Sequence, residues 1–421
     1  MKSYLYPRLN LDISFVDLAF GLFPWLSKSS VQSPSILQDF SQNHKQVLVT
    51  LSVRTAFDLW LQALNFPKGT EVLMSAINIR DMQEIVKNHG LIPVPVDINL
   101  DTLAPDIELL GSLISQKSRV FVVAHLFGSI IDLEPIVNIC QKHQILLVED
   151  CAQAFCGTNY YGASSADVSL FSFGPIKSST ALGGAIVCIK DSTIAEKMVT
   201  LAAEYSCRSE LWFGKRIWKY LGLKTLSIPQ VYVHLISLMK LLGFDIDITI
   251  NSLTRGFASG DLFTKIRYRP PQMMLQLLWR RLNNLDNSRF QKREDKARLL
   301  ISQLDPEIVY PGSKTAFHSF WVFPILVNKP DSLMTKLRAE GFDATRGNTS
   351  LTHFSNLPET ELLKVKNLFT AKQLSEQILY LPVYANMRDT NIIRLAGLIN
   401  QFSGKISDKS RKNPPSVNGI C

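Results

Sequence analysis

The chain of 421 residues is 46% hydrophobic and 19% charged, enough apolar material for a large core spread over two or three domains, which excludes a disordered protein. Its formal net charge of +9 suits an anionic partner, but the Lys and Arg residues are scattered, with neither zinc-finger spacing nor an RNP-like aromatic strand, so nucleic acid is not the expected partner. A phosphorylated small molecule or an anionic membrane surface accounts for the balance equally well.

The opening stretch MKSYLYPRLNLDISFVDLAF carries Arg8, Asp12 and Asp17 where an export signal needs an unbroken apolar run, so none is expected. From Lys45 to Ile189, short β-branched runs alternate with segments of helical period, the pattern of a mainly parallel sheet covered by helices. Seven strands are predicted: QVLVTLS (46–52), EVLMSAI (71–77), IPVPVDI (92–98), RVFVVAHLF (119–127), QILLVED (144–150), DVSLFSF (167–173) and GAIVCI (184–189). Helices are predicted over TAFDLWLQAL (55–64), RDMQEIVKNHG (80–90) and LEPIVNICQKH (133–143), with Gly90 as a stop signal.

From about Met198 to Ala297 the pattern turns helical and ends in the amphipathic PPQMMLQLLWRRLNNLD (270–286), so the large domain is read as 1–297. Within it, 211–257 reads as a helical insertion. There Gln230, His234, Ser237 and Lys240 fall on one narrow stripe of an otherwise apolar helix, preceded by Lys215, Arg216, Lys219 and Lys224. Two readings stand: peripheral membrane contact through 215–242, or a helix packed in a dimer or against the main domain. A spanning helix is not expected, because Pro229, His234 and Lys240 break the apolar run 226–242. Residues 298–402 return to mixed α/β as a smaller C-terminal domain, with FWVFPILV (320–327), PDSLMTKLRAEG (330–341) and QILYLPVY (377–384). The polar, basic segment 403–421 reads as a disordered tail. Six cysteines without a CxxC pair read as reduced thiols, which favours a cytoplasmic protein, membrane-associated if the insertion contacts lipid.

The chemistry gathers at strand ends. LLVED finishes a buried run with Glu149 and Asp150, and in open α/β sheets the carboxyl ends of strands face the ligand crevice. Gln153 follows three residues after Asp150. In FSFGPIKSSTALGG, Ser172 stands five positions before Lys177, and Gly183 and Gly184 admit close backbone approach. Burial depresses the pKa of a lysine, and its neutral amine is a nucleophile toward carbonyls. A carboxylate, an amide, a hydroxyl and an amine thus share one rim, although each taken singly also reads as a cap, a surface residue or turn chemistry. No metal is called for.

The order and spacing in VEDCAQAFCG…ADVSLFSFGPIKSSTALGGAIV resemble the core signature of the DegT/DnrJ/EryC1/StrS family, fold-type-I pyridoxal phosphate enzymes that are mostly aminotransferases of nucleotide-linked keto sugars. The likeness extends upstream through HGLIPVPVDI and VVAHLFGSIIDLEPIVNIC, and downstream through RYRPPQMM and YLPVYANM. It implies an α/β fold of that type, with a seven-stranded mainly parallel sheet and a smaller C-terminal α/β domain. It implies that Lys177 holds the cofactor as an internal aldimine and then shuttles a proton between substrate carbon and cofactor. Asp150 would keep the ring nitrogen protonated, Gln153 would reach the phenolic oxygen, and Ser172 would contact the phosphate.

A second phosphate contact is expected at the first helix start, where unpaired N–H groups receive an anion. The family's Ser-Gly-Thr run is replaced here by LSVRTAFDL, so Ser52, Arg54 and Thr55 are the candidates, with Arg54 standing in as a bidentate donor or merely facing water. In SAINIRDM the ring-stacking aromatic of many relatives is missing; Ile77, Asn78 and Ile79 stand there instead. His125 is expected to be structural. The resemblance also implies a homodimer with shared active sites, Tyr268 and Arg269 being candidates to cross the interface, and Arg346 is a candidate for a substrate anion. The function so implied is transfer of an amino group, with glutamate as the expected donor, to a keto sugar carried on a nucleotide. Two alternatives stay open: a sugar dehydratase of the same fold, and a catalytically degenerate pyridoxal phosphate-binding regulatory protein. Lys177 argues against the dehydratases that carry histidine at its position.

Overall fold

A computed structural model describes residues 4–8, 10–23, 36–41, 45–254, 260–347, 351–353 and 368–412. All seven expected strands form, and they make one sheet: β1 (Gln46–Thr50), β2 (Glu71–Ser75), β3 (Ile92–Val96), β4 (Ser118–Ala124), β5 (Leu146–Asp150), β6 (Val168–Ser172) and β7 (Ala185–Ile189). The spatial order is β1-β7-β6-β5-β4-β2-β3, and only β7 runs against its neighbours.

Both faces of this sheet are buried, so its strands read as continuous apolar runs whose alternate residues enter different cores. Val72, Met74, Val120, Val122, Val148, Leu170 and Val187 pack on Phe57, Trp60 and Ile85 of the covering helices. Leu73, Phe121, Val123 and Leu147 pack on Leu110, Ile136 and Cys140 on the opposite face. Phe171, Ile186 and Cys188 join Leu277 and Leu278 in a third core. The helix Val53–Leu64 starts where the Ser52 hydroxyl accepts from Thr55 N–H at 3.2 Å, and it stops at Asn65 in the left-handed region, φ 49°.

A further core gathers residues from Ala297 to Ile399, with Leu300, Phe323, Leu337, Leu379 and Leu395 at its centre. Two short strand pairs escape the sequence pattern: Phe317–His318 with Ser129–Ile130, and Leu351–His353 with Ile77–Ile79. In the insertion, helices Glu210–Leu226, Pro229–Leu241 and Ile246–Thr254 are described, while 255–257 lie outside the described residues. The closing helix runs Asp389–Lys412, so 403–412 is helical rather than tail, a correction to the expectation; 413–421 lie outside the described residues. The physical reason is propagation: once the apolar stripe Ile392, Leu395, Ala396, Ile399 packs, each further polar residue adds a helical bond without new nucleation.

Candidate active site

Parallel pairing sets Ala124 beside Asp150, and Asp150 beside Leu170, so the carboxyl ends of β4, β5 and β6 come level. Asp150, the last residue of β5, is buried, and its carboxylate accepts from Ala152 N–H at 3.0 Å. Burial raises its pKa, against the opposing pull of that N–H and of Lys177, His125 and Arg54.

Lys177 sits in the connection from β6 to β7, which is tied off tightly. The Phe173 carbonyl accepts from Ala181 N–H at 3.0 Å, from Gly183 N–H at 3.1 Å and from the Thr180 hydroxyl at 3.2 Å. Ser179 and Leu182 are held at positive φ, 52° and 61°, which a loop pinned by its neighbours can sustain. One pin is remote: Ser179 N–H donates to the Asp12 carboxylate at 2.6 Å. The amine of Lys177 lies 4.2 Å from the centroid of the Trp321 ring, whose indole N–H donates to the Ile176 carbonyl at 2.9 Å. Burial pushes the Lys177 ammonium down to about 8; Asp150 opposes the shift and Arg54 adds to it.

Ser172 ends β6 half-buried, and its hydroxyl accepts from Gly174 N–H at 3.4 Å. A Cβ on Gly174 would lie 3.5 Å from the Ser172 hydroxyl and 3.9 Å from Lys177 Cγ, which places the three side by side. Gln153 Oε1 accepts from Phe127 N–H at 2.8 Å, fixing its amide against the end of β4. Arg54 Nε donates to Asp81 while its charge reaches Lys177 and Asp150. Thr55 is buried and its hydroxyl donates to the Ile266 carbonyl at 2.8 Å, which ties the helix start to the 266–269 segment.

Other candidates stand apart from this group. Tyr268 lies under the Arg208 guanidinium at 4.2 Å, and exposed Arg269 donates to the Tyr205 carbonyl at 2.9 Å. Arg346 pairs with Asp331 at 3.3 Å and donates to the carbonyls of Ser375 and Glu376. His125 is buried. Its Nε2 lies 2.8 Å from Glu149 Oε1, and its Nδ1 accepts from Ile131 N–H at 3.2 Å, the network that assigns the proton to Nε2. Glu149 also accepts from Tyr160, Ala163 N–H and Ser169; although burial works against its charge, these donors and His125 hold its carboxyl down to about 2.

Beside Lys177 opens a cavity of about 370 Å³ walled by the 8–14 segment, Trp321, residues 381–385 and the cations Lys224, Arg281, Arg289 and Arg293. Arg281 pairs with Asp17 at 2.7 Å and Arg289 with Asp12 at 2.5 Å. Arg293 makes no ion pair with a carboxylate among the described residues: its Nε donates to the Ser319 carbonyl at 2.8 Å, Nη1 to the Ser178 hydroxyl at 3.2 Å, and buried Nη2 has no hydrogen-bond partner among them. Burial pushes its guanidinium down to about 10, with Asp12 opposing. Lys224 likewise donates only to a carbonyl, that of Leu11 at 3.2 Å, among the described residues. The cavity therefore carries surplus positive charge, and Lys177 is the residue it shares with the Asp150 group. Sequence reading missed Trp321, Arg289 and Arg293, whose local patterns are those of an ordinary strand start and an ordinary helix face.

Comparison with known proteins gives the lineage. GDP-perosamine synthase of Escherichia coli O157:H7 is 30% identical over 178 residues, 41% of this chain and 49% of that protein. The chain spans about half the length of the curated relatives it matches first. Among solved structures, the aminotransferase TlmJ from Streptoalloteichus hindustanus aligns with TM-score 0.67 at 18% identity, covering 96% of this chain and 100% of that one. E. coli GDP-4-keto-6-deoxy-D-mannose-3-dehydratase with bound hydrated PLP aligns with TM-score 0.66 at 17% identity, covering 94% and 99%. At these identities the likeness carries the fold, so an aminotransferase and a dehydratase share it with this chain. The sequence pattern of one family matches residues 35–223 and 266–400, most of the molecule, and on that match the chain belongs to the DegT/DnrJ/EryC1/StrS aminotransferase family.

Proposed function

We propose that this protein is a pyridoxal phosphate-dependent aminotransferase that moves an amino group from an amino acid such as glutamate to a keto sugar, with a nucleotide-linked sugar as the class of acceptor. The observation that carries the reading is Lys177 beside Asp150: desolvation drives both toward their neutral forms, while each favours the other's charge. These residues fit the cofactor. A cationic ring nitrogen would relieve the buried Asp150 carboxylate, and the amine of Lys177 is within electrostatic reach of the same point. When bound, pyridoxal phosphate supplies an electron sink that stabilises charge developing on the substrate carbon.

The chain's own residues supply the rest. The ionised Asp150 carboxylate would keep the proton on the ring nitrogen, and Lys177 takes up and returns a proton at Nζ, a role its depressed pKa suits near neutrality. Ser52, Ser172 and Arg54 are the proposed phosphate contacts, with Gln153 fixed beside the ring position by Phe127 N–H. Thr55 is proposed to brace the turn through Ile266. The surplus cations Arg293 and Lys224 favour an anionic sugar substrate, such as one joined to a diphosphate. A homodimer with shared sites, a division into 1–297 and 298–402, and a cytoplasmic setting with its buried free thiols Cys140, Cys151, Cys156 and Cys188 complete the reading.

The test is a two-step turnover assay. Cofactor-loaded protein given glutamate should release 2-oxoglutarate, and a panel of nucleotide-linked keto sugars should then gain nitrogen. Sugar loss of a hydroxyl without nitrogen gain would make it a dehydratase, and no response to any amino donor would leave only a binder.

A further inference from the structure

The family pattern stops at residue 223 and resumes at 266, so the chemistry common to the family does not call for 224–265. This region has an unusual charge balance. From Leu211 to Phe244 there is no Asp or Glu, against five basic residues: Lys215, Arg216, Lys219, Lys224 and Lys240.

The inner faces of its helices are occupied. Phe213, Ile217 and Tyr220 enter the main core at helical spacing, and Tyr232, Ile236 and Met239 pack on Leu5 and Ile250. Two of the cations also face inward, Arg216 Nε donating to the Leu182 carbonyl at 2.5 Å and Lys224 to Leu11. The outer face is different. Ten of the seventeen exposed large apolar side chains among the described residues lie between Leu211 and Leu253, a concentration that scattered surface hydrophobics do not produce. Leu241 is 83% exposed, Ile248 70%, Trp218 and Leu242 60%, and Phe244 57%. Lys215, Lys219 and Lys240 are exposed with them. The two acids that follow are committed: Asp245 caps the next helix through Ile248 N–H at 2.8 Å, and Asp247 pairs with Arg8 and Arg338.

We propose that this outer face docks on the surface of an anionic lipid bilayer, with Leu241, Leu242 and Phe244 entering the acyl boundary and Lys215, Lys219 and Lys240 meeting headgroups. Charge decides the occupant. A two-fold contact with a second copy would bring these lysines toward one another, and the 211–244 segment holds no carboxylate to answer them. Anionic headgroups supply that missing charge, and an apolar face with flanking lysines is the composition of an interfacial helix. No helix among the described residues is long and apolar enough to cross a membrane, so the contact lies in the interface plane. The proposal stands independently of the catalytic reading.

The test is flotation of the full chain with phosphatidylcholine vesicles containing or lacking about 30% phosphatidylglycerol, at low and high salt. The protein should float with the anionic vesicles, at least tenfold less with neutral ones, and less as salt rises. The double variant Leu241→Asp/Phe244→Asp should lose at least tenfold of the bound fraction, while Val199→Asp, an exposed apolar site elsewhere, should not. Should the first variant misfold, Lys215→Glu/Lys240→Glu reads the same face through its charge and should release the protein from anionic vesicles. Wild-type protein left in the supernatant, or variants that float like wild type, would overturn the proposal. A double variant that instead halves the sedimenting mass, with no wild-type flotation, would assign the face to a second copy and equally refute lipid docking.

Discussion

Burial holds the Lys177 ammonium down to about 8, against 10.5 for an unperturbed lysine. At pH 7 that leaves ~9% of its amines neutral, compared with ~0.03% for an ordinary lysine, roughly a 300-fold difference in the nucleophilic population. Pyridoxal phosphate mixed with cofactor-free protein should therefore be captured at Lys177 ahead of every surface lysine. Borohydride reduction should leave a pyridoxyl group on the peptide containing residue 177. Measured between pH 6 and 10, the capture rate should rise with a midpoint at about 8, since deprotonation creates the reactive amine. Asp150→Asn should move that midpoint down, because the carboxylate favours the ammonium form, whereas Arg54→Gln should move it up. Turnover of Asp150→Asn should nevertheless fall by about 10²-fold or more, since capture and ring protonation are separate tasks. A midpoint near 10, or label spread over many lysines, would refute the claim that desolvation has prepared this amine.

Four further outcomes follow from the same geometry. Trp321→Leu should lower the Lys177 midpoint by about 0.4 to 1.5 pH units, because a ring facing an ammonium stabilises its charge by about 0.5–2 kcal/mol; Trp321→Phe should retain most of that while losing the N–H bond to Ile176, and an unmoved midpoint in the leucine variant would show the ring to be a bystander. Arg293→Gln should raise KM for an anionic sugar at least tenfold and leave the glutamate half-reaction unchanged; equal effects on both would remove the sugar from this cavity. Gly128→Ala should cost about 3 kcal/mol, read as lowered Tm, because φ is +100° and a Cβ would sit 2.6 Å from Trp321 N. Glu149, held down to about 2 from 4.5, should contribute about 3 kcal/mol that is present above pH 4.5 and lost as pH falls toward 2; Glu149→Gln should flatten the acid limb of the stability curve.

The sheet and the order of its chemistry were legible because they are local properties. Each of the seven strands is an apolar run whose alternate residues must leave on opposite faces, so the run itself specifies a strand buried on both sides. Asp150, Ser172 and Lys177 close or follow such runs, and strand ends of a parallel sheet necessarily come level, so their assembly on one rim was implied before any coordinate. The spacing of those residues likewise carried the family. The two short strand pairs and the extension of the last helix to Lys412 were not legible, because two- and three-residue strands have no period to detect and a helix end depends on where packing stops.

By itself, then, the sequence determined the strands and the positions of Asp150 at one strand end and Lys177 beyond another, all set by short-range alternation and by which side chains end each run. Tertiary structure alone decided which arginine faces the cavity. Arg346 and Arg293 are alike in sequence and both half-buried, yet one is bound to Asp331 and carbonyls while the other lines a cavity with a buried Nη2 that has no hydrogen-bond partner among the described residues. It also decided that Asp12 pins the lysine loop across 167 positions and that Trp321 roofs it across 145 from its anchor at Ile176. Such contacts depend on how cores settle against one another, and no stretch of chain short enough to read as a motif contains both partners.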